Sequence, residues 1–338
     1  MAHSDIQDRL LRPPPSPGTR ILFIARHAPD APAFQCRSYP GDGGYPAYYH
    51  RVWTVLTGLG YPVATANHAL APLEAAARTD LVFSLYNRMP VAHPEIIVAS
   101  LCAYLGLACV GAGPNGRALA EDKWFSKLAA RAIGIPVSDG EAYDRPGDLI
   151  RPPSFPGPYF VKRRFGAASE GITDQSIQDD WAGASRIARS FLEQGVAVLV
   201  EGYAPGIDIT VPVLGGDPPI LLGVVRPGSD RTGGIITEDL KRDDPLGYEM
   251  FDAQDQADAL ASDVTALWRA AGPMDYLRLD YRLDPKTGQR RFLEFNVCCH
   301  IGRSGAICLA GRQHGLEQPD ILGHVIEYTL ARQGGGKR

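Results

Sequence analysis

The first third of the chain alternates short apolar runs with segments of helical periodicity. RILFIAR (residues 20–26) and DLVFSLY (80–86) are apolar runs of strand length. RVWTVLTGLGYPV (51–63) spaces its apolar positions as a helix does, then passes a glycine into a second strand. HPEIIVASLCAYLGLACVGAG (93–113) adds a helix, a short strand and a Gly-rich turn. Strands that alternate with helices pack as a parallel, doubly wound sheet, which sets a first domain over residues 20–113.

Downstream the rhythm changes. PNGRALAEDKWFSKLAARAIGIPV (114–137) is helical, and RPPSFPGP (151–158) is a Pro-rich link. PYFVKRRFGAASEGI (158–172) then runs an apolar strand into a loop of small residues. A helix over 180–194 precedes VAVLVEGY (196–203), DITVPVLGG (208–216) and ILLGVVR (220–226), so antiparallel strands dominate. A helix over 253–271, a hairpin over 276–296 and a closing helix over 319–332 follow. The predicted class is α/β (α+β), with units at 114–201 and 202–333 after the first. Residues 1–19, with PPPSP, lack this periodicity and are expected to be disordered. There is no internal repeat.

The hairpin YLRLDYRLDPKTGQRRFLEFN (276–296) carries the most information. Strand side chains alternate between faces, so Leu277, Leu279, Tyr281 and Leu283 share one face while Arg278, Asp280 and Arg282 share the other. The turn DPKTGQ (284–289) allows a register in which Asp280 faces Glu294, with Asn296 on the same side. Two carboxylates opposite each other repel, so a cation belongs between them. Asp, Glu and Asn offer hard oxygens suited to Mg²⁺ completed by phosphates. The alternative is a solvated sheet face with cross-strand Arg–Asp pairs.

Bulk composition narrows the partner. The 338 residues are 45% hydrophobic and 21% charged, ordinary for a soluble globular protein, with a formal net charge of −4. No basic surplus matches a nucleic-acid backbone. No apolar run reaches the roughly 18 residues of a membrane span, and the N-terminus lacks a secretory pattern, so a cytoplasmic protein is expected. Six cysteines without paired C-x-x-C spacing make neither a disulfide framework nor a zinc site. A small molecule is the expected partner.

Nucleotide-binding signals lie elsewhere in the chain. Lys162 ends an apolar strand before the small-residue loop, where an ammonium and backbone N–H groups can meet phosphate oxygens. Neither a P-loop nor a G-x-G-x-x-G fingerprint is present. Lys127 lies on a helix expected to pack near that loop, the alternative being an exposed helix lysine. VLVEGYAPGID (198–208) places Glu201 before a Pro-Gly bend and Asp208 after it, a bend suited to an adenine edge and ribose hydroxyls, or else a plain hairpin loop.

Taken in order, Lys127, the Lys162 loop, the Glu201–Asp208 bend, and Arg278-x-Asp280 with Glu294-x-Asn296 resemble the ATP-grasp superfamily. The match is to its D-alanine–D-alanine ligase-like branch, over roughly residues 100–332. The resemblance implies the ATP-grasp fold, a doubly wound N-terminal domain plus two α+β subdomains gripping ATP. It implies that Lys127 and Lys162 contact ATP phosphates, and that the Ala167–Gly171 loop, with Ala168 and Ser169, closes over the γ-phosphate. Glu201, the backbone of Gly202, Tyr203 and Ala204, and Asp208 would hold adenine and ribose. Asp280, Glu294 and Asn296 would bind two Mg²⁺ ions, Arg278 would steady the transferring phosphoryl, and Lys241 would cover the site. The implied chemistry is a carboxylate–amine ligation through an acylphosphate, in a homodimer. A kinase and a non-catalytic nucleotide binder are the alternatives.

Two segments depart from that branch. NRMPVAHPEIIVASLC (87–102) stands where an acidic, glycine-rich motif is usual, with His93 and Glu95 the nearest polar residues. VCCHIGRSGAI (297–307) replaces a Ser-Pro-Gly-Met-Thr-like segment. The expected substrates are therefore a different small amino acid or peptide-like pair, and the chain is not expected to be an authentic D-alanine–D-alanine ligase. Cys298, Cys299, His300, Arg303 and Ser304 are candidates to line the substrate site, with Arg303 a carboxylate clamp, or else pack as an ordinary turn. Arg26 and His27 follow the first strand at its carboxyl end, where open parallel sheets bind ligands. In the phosphate loop, Ala167 replaces a usual glycine and Arg163 a usual proline.

Overall fold

Three sheets organise the chain in the computed structural model, which describes residues 3–26, 45–86, 94–166, 169–228, 234–237 and 247–334. The first unit runs α1 (His3–Asp8), β1 (Ile21–Ile24), α2 (Tyr45–Gly58), β2 (Val63–Ala66), α3 (Ala71–Ala75), β3 (Leu81–Ser84), α4 (Pro94–Leu105) and β4 (Ala108–Cys109). Its strands pair in parallel in the order β2-β1-β3-β4. Every residue of β1 and β3 is buried, as a sheet covered on both faces requires.

The second unit contains α5 (Pro114–Glu121), α6 (Lys123–Ala132), β5 (Gly140–Tyr143), β6 (Tyr159–Arg163), β7 (Ile177–Gln178), α7 (Trp181–Glu193) and β8 (Val198–Gly202). These strands form an antiparallel sheet in the order β5-β8-β6-β7, on which α7 buries Ala184, Ala188 and Leu192. The third unit adds β9 (Ile207–Leu214), β10 (Ile220–Leu221), β11 (Val225–Pro227), β12 (Tyr248–Met250), α8 (Ala257–Ala271), β13 (Tyr276–Leu283) and β14 (Arg290–Asn296). Its sheet runs β12-β11-β9-β13-β14, with β10 paired to β9. Then α9 (Ala306–Arg312) and α10 (Gln318–Arg332) return to pack against the first unit.

The hairpin has the register its alternation predicts: Asp280 faces Glu294 and Arg278 faces Asn296. Leu277, Leu279, Tyr281 and Leu283 are all buried on the opposite face. A bulge follows, since Tyr281 pairs with Phe292 and leaves Leu293 as an extra residue. Leu293 and Glu294 consequently both face the same cleft.

The N-terminal segment corrects an expectation. Residues 3–19 are not disordered: Ile6 and Leu10 are buried in the main core, Pro13 approaches Gly323 of α10, and Pro17 approaches Gly60. Leu11 N–H donates to His324 Nδ1 at 3.0 Å, and Arg9 donates to the carbonyl of Pro218. Proline stiffness, read from the sequence as a bar to collapse, also lowers the entropy lost when such a segment docks. Among the described residues no helix is long and apolar enough to cross a membrane.

His324 is therefore a buried clasp for this segment. Because Nδ1 accepts from Leu11, Nε2 carries the proton that it shares with the carbonyl of Gly215 at 2.9 Å. Burial, with Arg9 nearby, lowers its pKa from 6.5 despite the Gly215 bond. A base held neutral by the fold contributes stability that is full above the unfolded pKa and is lost as pH falls below it. Denaturant titrations should show stability falling below about pH 6.5, and His324→Gln, which keeps a donor and an acceptor but does not titrate, should lose that part of the dependence.

Candidate active site

A cleft of about 1110 Å³ opens between the second and third sheets. One wall comes from β6, β8 and the bend that follows, supplying Lys162, Glu201, Gly202, Tyr203, Ala204 and Asp208. The facing wall comes from β13 and β14, with Arg278, Asp280, Arg282 and Glu294. Ser169 and Glu170 close one end. Six of the ten residues expected to hold nucleotide thus lie on one surface, and the hairpin carboxylates face them.

The polar groups are tied down individually. Asp280 accepts from Thr210 Oγ1 at 2.7 Å and from Asn296 Nδ2 at 3.0 Å, with Arg278 Nε at 3.3 Å. Burial opposes charge on Arg278, yet Asp280, with Tyr248 and Glu294 further off, more than offsets it and keeps the guanidinium protonated. Its Nη1 reaches the hydroxyl of Tyr248 at 3.4 Å. Arg282 pins the bend, bonding the carbonyls of Ala204 and Gly206 and pairing with Asp208 at 3.1 Å. Gly206 has φ +115°, and a Cβ there would sit 2.1 Å from the carbonyl oxygen of Leu283. The bend needs glycine on both counts.

Lys127 and Lys162 clasp Glu201. The distances are 2.7 Å from Lys127 and 2.5 Å from Lys162, and Lys127 also donates to the carbonyl of Phe292 at 2.8 Å. Burial would neutralise Glu201, but the two ammonium groups hold its carboxyl below the usual range. Burial lowers Lys127 to about 8 against the pull of Glu201. Lys127 is 2% exposed and does not line the cleft. The wall position expected of it is taken by Lys123, which approaches Glu294 at 3.4 Å and donates to the carbonyl of Gly166.

Sequence reading missed Lys123, although a signal was present. Asp122 caps α6, accepting from the N–H groups of Trp124 and Phe125, and is gripped by Arg164 at 2.7 Å. That cap sets Lys123 at the open first turn and Lys127 one turn inside. Thr210, Tyr248 and Arg282 were likewise not assigned roles.

No family model matches the chain. Over 267 residues it is 27% identical to a D-alanine–D-alanine ligase of Desulfovibrio desulfuricans, covering 77% of this chain and 82% of that one. A D-alanine–D-alanine ligase of Chlorobium phaeovibrioides is 33% identical over 235 residues, 65% of this chain and 63% of its own length. The crystal structure of D-alanine–D-alanine ligase from Bacillus anthracis complexed with ATP matches with a TM-score of 0.69 at 17% identity, over 94% of this chain and 99% of that one. The chain has the ATP-grasp fold and is similar in sequence to D-alanine–D-alanine ligases.

In this ligase-like chain the candidate substrate residues are arranged differently from the nucleotide set. Cys298 is buried and donates to the carbonyl of Ser84, and Cys299 is buried beside it. Burial pushes the Cys298 thiol up and the Cys299 thiol to about 12, so neither is a thiolate nucleophile at neutral pH. The His300 ring stacks on Tyr48 with centroids 4.1 Å apart. Arg303 and Ser304 are exposed on the following turn, and Arg26 is exposed beyond β1; none of the three lines the cleft. Glu95 is pushed up to about 7 by burial, which Arg117 at 4.0 Å only partly offsets. Gly171, at φ +75°, packs on Phe191 behind the cleft. His27, His93, Ala167, Ala168 and Lys241 lie outside the described residues.

The two α6 lysines should behave oppositely on truncation. Lys127→Ala leaves buried Glu201 with one cation and should cost about 3–5 kcal/mol in urea unfolding. Lys123→Ala, whose ammonium borders the cleft, should cost about 1 kcal/mol or less. Equal losses would contradict this division of roles.

Proposed function

We propose that the protein is an ATP- and Mg²⁺-dependent carboxylate–amine ligase that joins small amino acid or peptide-like metabolites through an acylphosphate. The observation that carries this reading is the facing of Asp280 and Glu294 across one β-ribbon, in a cleft that also holds Lys123 and Lys162. Two carboxylates and an amide are hard donors, and too few to enclose an ion, which suits Mg²⁺ sharing its coordination with phosphates. Asp280 is hydrogen-bonded by Thr210 and Asn296 rather than sealed in hydrocarbon. Asp280, Glu294 and Asn296 would hold the metal, and when bound it neutralises phosphate charge.

The protein's own groups divide the remaining tasks. Lys162, oriented by Glu201, and Lys123, at the open end of α6, present ammonium groups to phosphate oxygens. Asp208 and the backbone of Gly202 to Ala204, braced by Arg282, receive ribose and adenine. A substrate carboxylate then attacks the γ-phosphorus and ADP leaves. The amine of the second substrate attacks the acyl carbon and phosphate leaves as the amide forms. Arg278, protonated and buried beside Asp280, is placed to steady negative charge in both steps. The replaced segments at 87–102 and 297–307 support substrates other than two D-alanines.

A screen of amino acids, singly and in pairs, should find a combination that triggers release of both ADP and phosphate. Glu294→Gln should lower that release about 10²-fold or more while the circular dichroism spectrum is unchanged. Normal turnover in that variant would refute the assignment of the site. A phosphorylated product without free phosphate would make the protein a kinase.

A further inference from the structure

The phosphate end of the cleft holds one cation more than its two lysines. Arg163 follows Lys162 at the end of β6, and its side chain runs beneath the loop that comes next. Its Cδ lies 3.5 Å from the point a Cβ on Gly171 would occupy, and its Nε lies 4.0 Å from the corresponding point on Gly166. The guanidinium pairs through Nη1 with Glu170, while Nε is buried without a hydrogen-bond partner. Both side chains line the cleft with Lys123 and Lys162. Glu170 is 52% exposed and follows Ser169, a non-glycine residue at φ +58°.

A carboxylate at this end repels a polyphosphate, and Arg163 is what neutralises it. An ion pair that is half exposed is weak, whereas a guanidinium fork matches a phosphate with two parallel hydrogen bonds. The partner with the greater differential affinity wins the exchange. We propose that Arg163 is a phosphate-binding residue held in reserve by Glu170. A nucleoside triphosphate takes the guanidinium, Nε gains an acceptor, and the Glu170 carboxylate swings to solvent. Before a nucleotide arrives, Arg163 thus has a carboxylate partner, as Lys162 has in Glu201 and Lys123 in Glu294. This inference rests on reading the cleft as a triphosphate site.

Calorimetric titration with ATP and with AMP, both with Mg²⁺, separates the possibilities in the wild type, Arg163→Gln, Glu170→Gln and the double variant. Arg163→Gln should weaken ATP binding about tenfold and leave AMP binding unchanged. Glu170→Gln should tighten ATP binding about threefold or more, because the competitor for the guanidinium is gone. The double variant should match Arg163→Gln. Glu170 is exposed enough that its variant folds, so the test stands even if Arg163→Gln does not. Unchanged ATP affinity in Arg163→Gln, or weaker binding in Glu170→Gln, overturns the proposal while leaving the nucleotide site intact. A wild-type protein that binds neither nucleotide overturns the triphosphate reading itself.

Discussion

Glu201 and its two lysines are the contact on which the cleft depends. Glu201 stands on β8 and Lys162 on β6, both in the second sheet. Lys127 comes from α6 and reaches across to the carbonyl of Phe292 on β14, in the third sheet. One buried ammonium therefore spans the two walls between which a nucleotide would lie. Three charges out of water carry a desolvation cost of several kcal/mol each, and this is recovered only while all partners stay in contact. Loss of one member leaves an uncompensated charge and also removes the tie between the sheets. The same contact fixes Lys162 at the cleft wall, so wall spacing and the position of a cleft-lining cation are set together.

The facing wall follows from a simpler constraint. A strand that buries every second residue must present the others on one side, and β13 places Arg278, Asp280 and Arg282 there. Pairing with β9 then supplies a cross-strand partner to two of them: Thr210 lies opposite Asp280, and Asp208 opposite Arg282. The bulge at Leu293 keeps Glu294 on the cleft side while freeing the Phe292 carbonyl for Lys127. The geometry of the acids and the stability of the buried ion cluster meet within three consecutive residues of β14.

This distinction explains what was legible in the sequence. The hairpin register could be read because its period of two allows only one buried face, whatever surrounds it. The choice between Lys123 and Lys127 could not be read from spacing, because both lie within one helical turn and the outcome turns on where Asp122 starts the helix. The order of residues 3–19 was hidden for a related reason: PPPSP has no periodicity, and its partners in α10 are some 300 residues away, as Leu11 and His324 show. Cys298 and Cys299 read in sequence as candidates to line a substrate site or to pack as an ordinary turn. They are protonated thiols in the structure, because burial is a property of the assembled core.

The segment after β14 links the first unit to the ribbon that carries Asp280 and Glu294. Ile301 N–H donates to the hydroxyl of Tyr48 on α2, His300 stacks on the same ring, and Cys298 bonds the carbonyl that ends β3. Ile301 in turn accepts from Gln318 at the start of α10. Residues 298–301 thus bind the first unit to a strand whose last residue, Asn296, bonds the carboxylate of Asp280. A substitution that enlarges or shrinks a side chain here also displaces the amide beside Asp280. Change in this segment is therefore constrained to side chains that preserve the turn, which is why a small, buried Cys-Cys pair followed by a stacking His can replace a quite different sequence without loss of the fold.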